Sequence, residues 1–557
     1  MKLVECVPNF SEGRDLTKID AITGEIGATE GVTLLDVDPG KDTNRTVVTF
    51  VGTPEGAVEA AFKAIAKAAQ VIDMSKHQGA HARMGATDVC PFVPVAGFTT
   101  DDCVELAKQL GKRVGEELGI PVYLYEYAAT KPQRKNLAKV RAGEYEGLAE
   151  KLKDPEWKPD YGPAEFKPGP GATVIGVREF LIAYNVNLNT RDTRIAKDIA
   201  FSIREKGRLK RDANRKIVRD ENGKALRVPG KFKECKAVGW YMEDFGRAQV
   251  SINLTNYKIT PPHLVFDECS RLAEKLGARV TGSELVGLIP LEAVEMAGKY
   301  YLKKQGKTTG VPEAELIHSA VLSLGLNDLY PFEKDKKIIE YQVGKQESLV
   351  KMKVGDFTDL LSTDSPAPGG GSVAALCGAL SGALTSMVGA LTHGKKGYEH
   401  AFDAVEEIGV EGQSLKDAFL SDVDRDTDAF NRVMAAARLP KKTEEDKAAR
   451  EEAMQAANKG ATLVPLDVLK RSWDAAQIAR RIVEKGNKNS VSDGGVAALT
   501  ARTAAEGAYL NVLINLPGIT DEEFRAATLK EAEEVRKKVV EHTEHTVELA
   551  EKTIAEA

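Results

Sequence analysis

The chain has 557 residues and a mass of 60.3 kDa, with 42% apolar and 29% charged residues. That composition excludes a disordered or fibrous polymer and predicts three or four structural units. With 77 Lys and Arg against 83 Asp and Glu, the net charge is −6, so bulk nucleic-acid binding is not expected.

The first residues, MKLVECVPNFSEGRD, lack the apolar core of a signal peptide. Strand-like runs follow (KLVECVPNF, VTLLDVD, RTVVTFVG, CPFVPV and PVYLYEYA), and they surround two helices, PEGAVEAAFKAIAKAAQVID and DDCVELAKQLGKRVGEELG. Thr53 and Pro54 read as the N-cap and first turn of the first helix. Beyond the Gly/Pro-rich residues 159–172 the order repeats. A strand (TVIGVREFLIAYNVNL), a helix (DTRIAKDIAFSIREKG), two strands (KAVGWYMED and AQVSINLTN), a helix (HLVFDECSRLAEKLG), a strand (ARVTGSELVGLI) and a helix (LEAVEMAGKYYLKKQ) follow in turn. The expected N-terminal half is therefore α+β: two ferredoxin-like βαββαβ subdomains, 1–177 and 178–328, with a cleft between them that suits a small molecule. A linker at 329–354 is expected to carry one more strand, IIEYQV. Eighteen of the 23 prolines precede residue 352. The remainder, 355–557, is rich in Ala, Glu and Lys at helical spacing and reads as an all-α helical bundle. Within it, Val373 to Thr392 is uncharged and long enough to span a bilayer. Its Ala, Gly, Ser and Thr content, with Gly378, Gly382 and Ser386 four apart, predicts a closely packed buried helix and no membrane span.

The six cysteines are scattered without a CxxC pair, which predicts reduced thiols in a cytoplasmic protein. His77 and His81 are spaced as a helical metal pair would be. Gly79 between them and the absence of a helical pattern weigh against zinc. Small residues around His81 predict a tight loop in which an imidazole could serve as general base, against the plainer reading of a surface histidine. Asp38 ends a strand at a Pro-Gly turn, either as a turn residue or as a carboxylate that steadies such a histidine. The stretch Gly162, Pro163, Ala164, Glu165, Phe166, Lys167, Pro168, Gly169, Pro170 and Gly171 reads as a hinge or as a ligand-contacting strap with Lys167 as anion anchor. Arg204 to Lys236 is the most basic stretch, 13 cations against five acids. It lacks the aromatic interleaving of base stacking, so acidic small molecules or solvent are its expected partners. SPAPGGGSVAA opens a helix without a Walker pattern, which suits an anion other than ATP. In VDRDTDAF, spacing lets at most one or two of Asp424, Asp426 and Asp428 point inward, where a carboxyl would titrate high and could deliver a proton.

Together these motifs resemble a known family. LVECVPNFSEG, LLDVD, TNRTVVTFVG, HARMGATDVCPFVPV, YLYEYAA, RAGEYEGL and FLIAYNVNL resemble the formiminotransferase half of formiminotransferase-cyclodeaminase. APGGGSVAA, VDRDTDAF, RLPKKT and AYLNVLINL resemble its cyclodeaminase half. The resemblance implies transfer of the formimino group from N-formimino-L-glutamate to tetrahydrofolate, then closure to 5,10-methenyl-tetrahydrofolate with loss of ammonia. It implies His81 as the transferase base, Asp38 in support, residues 162–171 against folate, and Asp426 as the cyclodeaminase acid with Asp424 as competitor. It further implies tetrahydrofolate polyglutamate as co-substrate, no metal or tightly bound cofactor, and a homo-oligomer whose cyclodeaminase sites lie at a helical dimer interface. The alternative is a transferase fused to a methenyltetrahydrofolate cyclohydrolase-like or inactive helical domain.

Overall fold

The structure, a computed structural model, describes residues 2–41, 44–79, 82–243, 245–343 and 348–556. It divides into two compact units: Met1–Val294 with Leu324–Gly344, and Glu295–Ser323 with Lys345–Ala557.

The first unit begins β1 (Leu3–Cys6), β2 (Asn9–Phe10), α1 (Leu16–Gly27), β3 (Val32–Gly40), β4 (Arg45–Gly52), α2 (Pro54–Val71), β5 (Thr87–Ala96), α3 (Thr100–Glu117) and β6 (Val122–Glu126). Two single turns, α4 (Leu137–Val140) and α5 (Leu148–Lys151), lead to β7 (Thr173–Val177). As expected, Thr53 caps α2 by accepting the Gly56 N–H, with Pro54 in its first turn. Strands β3, β4, β1 and β5 lie side by side and antiparallel, β2 pairs with both β4 and β5, and β7 and β6 extend the sheet in parallel. Because strand side chains alternate, Val48, Phe50, Cys90 and Phe92 join Ile22, Ile65 and Leu110 of the helices in the core. Val47, Val89 and Pro91 turn the other way, toward a cavity.

The chain continues through β8 (Ile182–Leu188), α6 (Thr193–Ile203), the short β9 (Arg208–Leu209) and β10 (Arg227–Val228), which pair with each other, β11 (Cys235–Met242), β12 (Arg247–Leu254), α7 (Pro262–Lys275) and β13 (Val280–Val286), and four of these strands form a second sheet. Its order is β11-β12-β8-β13, antiparallel throughout. The basic stretch folds into nested hairpins in which the Asp212 and Asp220 carboxylates each accept two backbone N–H groups. The elements that follow are α8 (Leu291–Lys304), α9 (Glu313–Ser323), α10 (Lys334–Lys337) and α11 (Ile339–Val343).

Three features differ from the sequence reading. TVIGVREFLIAYNVNL is two strands, and the first of them, β7, belongs to the first sheet. Its five residues are buried on both faces, as an interior parallel strand requires. The break falls at Arg178, whose N–H bonds the Phe92 carbonyl. IIEYQV is helical after Ile338, which keeps a single bridge to Ile289. Residues 295–323 belong by their contacts to the second unit, although the sequence reading ran the second subdomain to 328.

In the second unit the main helices are α12 (Val354–Leu361), α13 (Gly370–Thr392), α14 (Phe402–Ala437), α15 (Glu444–Lys485), α16 (Val491–Asn515) and α17 (Glu522–Ala555). Among the described residues, α13 is the one helix long and apolar enough to cross a bilayer. Its small-residue face is occupied by protein: Gly378 faces the Phe419 ring, Gly382 faces the Gly412 carbonyl, and Ser386 Oγ donates to the Gly409 carbonyl at 2.7 Å. Pro465 lies inside α15, where it removes the N–H that the Ala461 carbonyl would have accepted. Asn515 Nδ2 donates to that carbonyl instead, at 2.9 Å.

A Cβ on Gly378 would fall 2.5 Å from the buried Phe419 ring. Gly378→Ala should therefore lower stability in urea unfolding by about 1–3 kcal/mol. Gly355→Ala, with nothing within 4 Å, should not lower it.

Candidate functional site

His81 lies outside the described residues, but its loop is held on both sides. His77 Nε2 donates to the Asn44 carbonyl at 2.8 Å, which leaves Nδ1 to accept from Arg83 Nε at 3.3 Å. Both ring nitrogens are thus engaged by protein, which argues against the metal-pair reading. Arg83 is fixed in turn by Glu144 and Glu146. Asn44 itself is left-handed, φ 48°, a conformation that needs support from its surroundings. Its carboxamide supplies that support, accepting the Gly13 N–H and donating to the Gln78 carbonyl.

The strap 162–171 packs against this same loop. The Gly169 and Pro170 carbonyls accept the Met74 and Ala86 N–H groups, each at 2.9 Å. The Pro168 carbonyl accepts the Tyr145 hydroxyl at 2.7 Å, and Phe166 tilts onto the Tyr145 ring. Gly85 meets Gly171 so closely that a Cβ would sit 2.3 Å from the Ala172 carbonyl oxygen. None of the ten strap residues lines the large cavity. Asp38 is exposed and sits within β3, because pairing continues through Pro39 and Gly40 to Thr46 and Arg45. The expected Pro-Gly turn is therefore a continued strand, and the Asp38 charge acts on Arg45.

The cavity, about 1190 Å³, lies on the open face of the first sheet and is lined also by Leu181, by the segment after α6, by the start of β11 and by the residues that follow β12. Arg45, Arg141, Arg178, Arg204, Lys206 and Lys236 meet Glu126, Glu179, Glu205 and Glu234 there. A smaller adjoining cavity is lined by Ala82, Leu137 and Arg141, which brings the histidine loop to the cavity's edge. Two features escaped the sequence reading. Asp88, fully buried, accepts the Met84 N–H at 3.0 Å and both Nε and Nη2 of Arg141. Glu5 is buried on β1 and its carboxyl is pushed up to about 7 by burial, opposed by Arg178. Spacing alone marks neither residue, since the arginines that face them, Arg141 for Asp88 and Arg178 for Glu5, lie 53 or more residues away in sequence.

The aspartates of the helical unit have separate environments. Asp424 accepts the Ser348 hydroxyl at 2.5 Å and the Leu349 N–H at 2.9 Å, closing the turn before α12. Asp422, absent from the sequence reading, is buried between Arg425 and Arg471. Asp426 instead lies against the first turn of α13. A Cβ on Gly371 would fall 2.1 Å from its Oδ1. Ser372 Oγ lies 3.1 Å from its Oδ2 and 3.2 Å from the Val423 carbonyl. Burial raises the Asp426 carboxyl above its ordinary range, opposed by the Ser372 hydrogen bonds. Asn511 approaches Gly370 from α16. Gly370, Gly371 and Ser372 thus meet Asp426 and Asn511 at one place, although Ser372 and Asp426 are 54 residues apart in sequence and Gly370 and Asn511 are 141 apart.

Family models cover both units. Residues 3–178 match the formiminotransferase domain, N-terminal subdomain, residues 183–344 the formiminotransferase domain, and residues 353–534 formiminotransferase-cyclodeaminase. A formimidoyltransferase-cyclodeaminase of Dictyostelium discoideum is 44% identical over 553 residues, 98% of each chain. The chain belongs to the formimidoyltransferase-cyclodeaminase family. Two shorter relatives each match part of the chain. A glutamate formimidoyltransferase of Streptococcus pyogenes serotype M1 is 44% identical over 302 residues, 54% of this chain and 94% of its own. A methenyltetrahydrofolate cyclohydrolase of Methylorubrum extorquens is 41% identical over 177 residues, 32% of this chain and 85% of its own.

The two aspartates should respond oppositely to substitution. Asp424→Ala leaves the turn before α12 uncapped and should cost about 1 kcal/mol. A carboxyl whose folded pKa is raised favours folding below its unfolded pKa, about 3.9, and loses that contribution as pH rises through the folded value. Asp426→Asn should therefore be at least as stable as the parent at pH 7, and the advantage should vanish in acid. Urea unfolding at two pH values measures both.

Proposed function

We propose that this chain carries out both reactions of its family in separate units. The first unit moves the formimino group from N-formimino-L-glutamate to tetrahydrofolate. The second closes 5-formimino-tetrahydrofolate to 5,10-methenyl-tetrahydrofolate and releases ammonia. The observation that carries this reading is that the two candidate proton-transfer groups fall in different units: His81 by its place in the sequence in the first, where the following Gly85 packs closely on Gly171, and Asp426 on Gly371 in the second.

In the transfer step N5 of tetrahydrofolate attacks the formimino carbon and loses a proton, and the glutamate nitrogen gains one before it leaves. His81 does both in turn, with Asp38 as the supporting carboxylate and the strap 162–171 as the folate contact. In the second step N10 attacks the same carbon. Asp426, its carboxyl raised above the ordinary range by burial, gives a proton to the departing nitrogen and takes up the one N10 loses, and the intramolecular geometry supplies much of the rate. Tetrahydrofolate enters as co-substrate. The strand order β3-β4-β1-β5 and its counterpart β11-β12-β8-β13 support ferredoxin-like subdomains. Exposed Leu380, Met387 and Leu391 on α13, with Val496, Leu499, Leu510 and Ile514 on α16, recur at spacings of 7 and 4 and of 3, 11 and 4 residues, which keep each set on one helix face, and support a homo-oligomer paired through helices. Six free thiols support a cytoplasmic location.

The likeness to a cyclohydrolase favours a second reading, in which the helical unit opens the methenyl ring with water. Ammonia release from enzymatically made 5-formimino-tetrahydrofolate separates the two. In the proposed enzyme, His81→Ala should lose transfer while closing supplied 5-formimino-tetrahydrofolate at near the parent rate. Asp426→Asn should spare transfer and slow closure by about two to four powers of ten, measured by the absorbance of the methenyl product. Loss of both activities in a folded His81→Ala protein would contradict the two-site assignment.

A further inference from the structure

The cluster at the end of the large cavity nearest the histidine loop has no part in the chemistry above. Asp88 is fully buried and serves two masters: the Met84 N–H, three residues beyond His81, and the Arg141 guanidinium. Arg141 spends Nε and Nη2 on Asp88, and among the described residues Nη1 donates to no protein acceptor. Arg45, on β4, is half-buried and lines the same cavity. Its guanidinium is held below the ordinary arginine range by burial, with Asp88 and Asp38 opposing and the like charge of Arg141 adding to the effect. One buried carboxylate thus acts on two guanidiniums, and the charge of exposed Asp38 also reaches Arg45. Partial desolvation strengthens any anion contact made there, and the planar fork of arginine matches a carboxylate.

We propose that Arg45 and Arg141 form the subsite for the α-carboxylate of the formimino donor, with Asp88 as the residue that positions them. This rests on the transferase reading above. The donor carries two carboxylates. Only the α-carboxylate shares its carbon with the nitrogen that surrenders the formimino group, so it must lie close to the proton-transfer residue. Asp88 provides that proximity, because one carboxylate ties Arg141 to the backbone of the histidine loop. The γ-carboxylate, farther along the side chain, extends into the rest of the cavity. The class of donor selected is therefore an α-amino acid formimidoylated on its amine, and simple amines with a distant carboxylate are rejected.

The test uses unreactive ligands and the full chain. Binding of N-formyl-L-glutamate and of N-formyl-4-aminobutyrate, which lacks the α-carboxylate, is measured by calorimetry. The parent should prefer the first by about ten- to a hundredfold, the range of a charge-assisted hydrogen-bonded pair. Arg141→Met and Arg45→Met should each bring that preference close to unity, and Arg141→Lys should restore part of it. Asp88→Asn should shrink the preference while tetrahydrofolate binding is kept. If the arginines only support the fold, both ligands and tetrahydrofolate weaken together and the preference persists, which overturns the proposal. Should Arg141→Met fail to fold, Arg45→Met, which removes no contact to Asp88 from the loop side, decides alone. Absence of formimino transfer in the parent would contradict the transferase reading without touching the measured preference.

Discussion

Asp426 can lie against the first turn of α13 only because residue 371 has no side chain: a Cβ there would fall 2.1 Å from its carboxylate oxygen. That approach places a carboxyl at the positive end of a 23-residue helix and out of bulk water. The two influences oppose one another. The helix N-terminus and Ser372 favour the anion, burial favours the acid, and burial prevails. That balance suits the proton-donor role proposed for Asp426. The packing of α13 on α14 through Gly378, Gly382 and Ser386 holds the two helices at the separation this contact needs.

The first unit solves a similar problem with different parts. The residues on either side of His81 must be fixed, and backbone groups do most of the fixing. Carbonyls of the 162–171 strap take the loop's N–H groups, and Asn44, His77 and Arg83 brace it from the other side. Asp88 then couples the loop to the cavity's cationic end. In both units glycines allow close backbone approach, Gly85 on Gly171 and Gly371 on Asp426, and aromatic side chains pack nearby, the Tyr145–Phe166 pair at the strap and Phe419 of α14 against α13.

Much of the architecture was legible in the sequence. Proline distribution marked the change to helices, and Thr53-Pro54 marked a helix start. What escaped it depended on distant partners. Residues 173–177 read as the opening of a longer strand, because a strand buried on both faces shows no alternation to mark its end. IIEYQV has strand composition but only Ile338 finds a strand partner. Pro465 is tolerated because Asn515, fifty residues on, satisfies the carbonyl it orphans. The i, i+2 spacing of Asp424 and Asp426 could not separate them, whereas Ser348 and Gly371 do. Asp88 sits in the motif HARMGATDVCPFVPV, yet its importance rests on Arg141, 53 residues away.

The central claim is that one chain houses two independent proton-transfer sites acting in sequence. Mixing His81→Ala and Asp426→Asn proteins in equal amounts tests it most directly, with N-formimino-L-glutamate and tetrahydrofolate supplied. Neither variant alone should form methenyl-tetrahydrofolate at an appreciable rate, but the mixture should, because one makes the intermediate that the other closes. A mixture no better than either variant by itself, both being folded, would contradict separate sites.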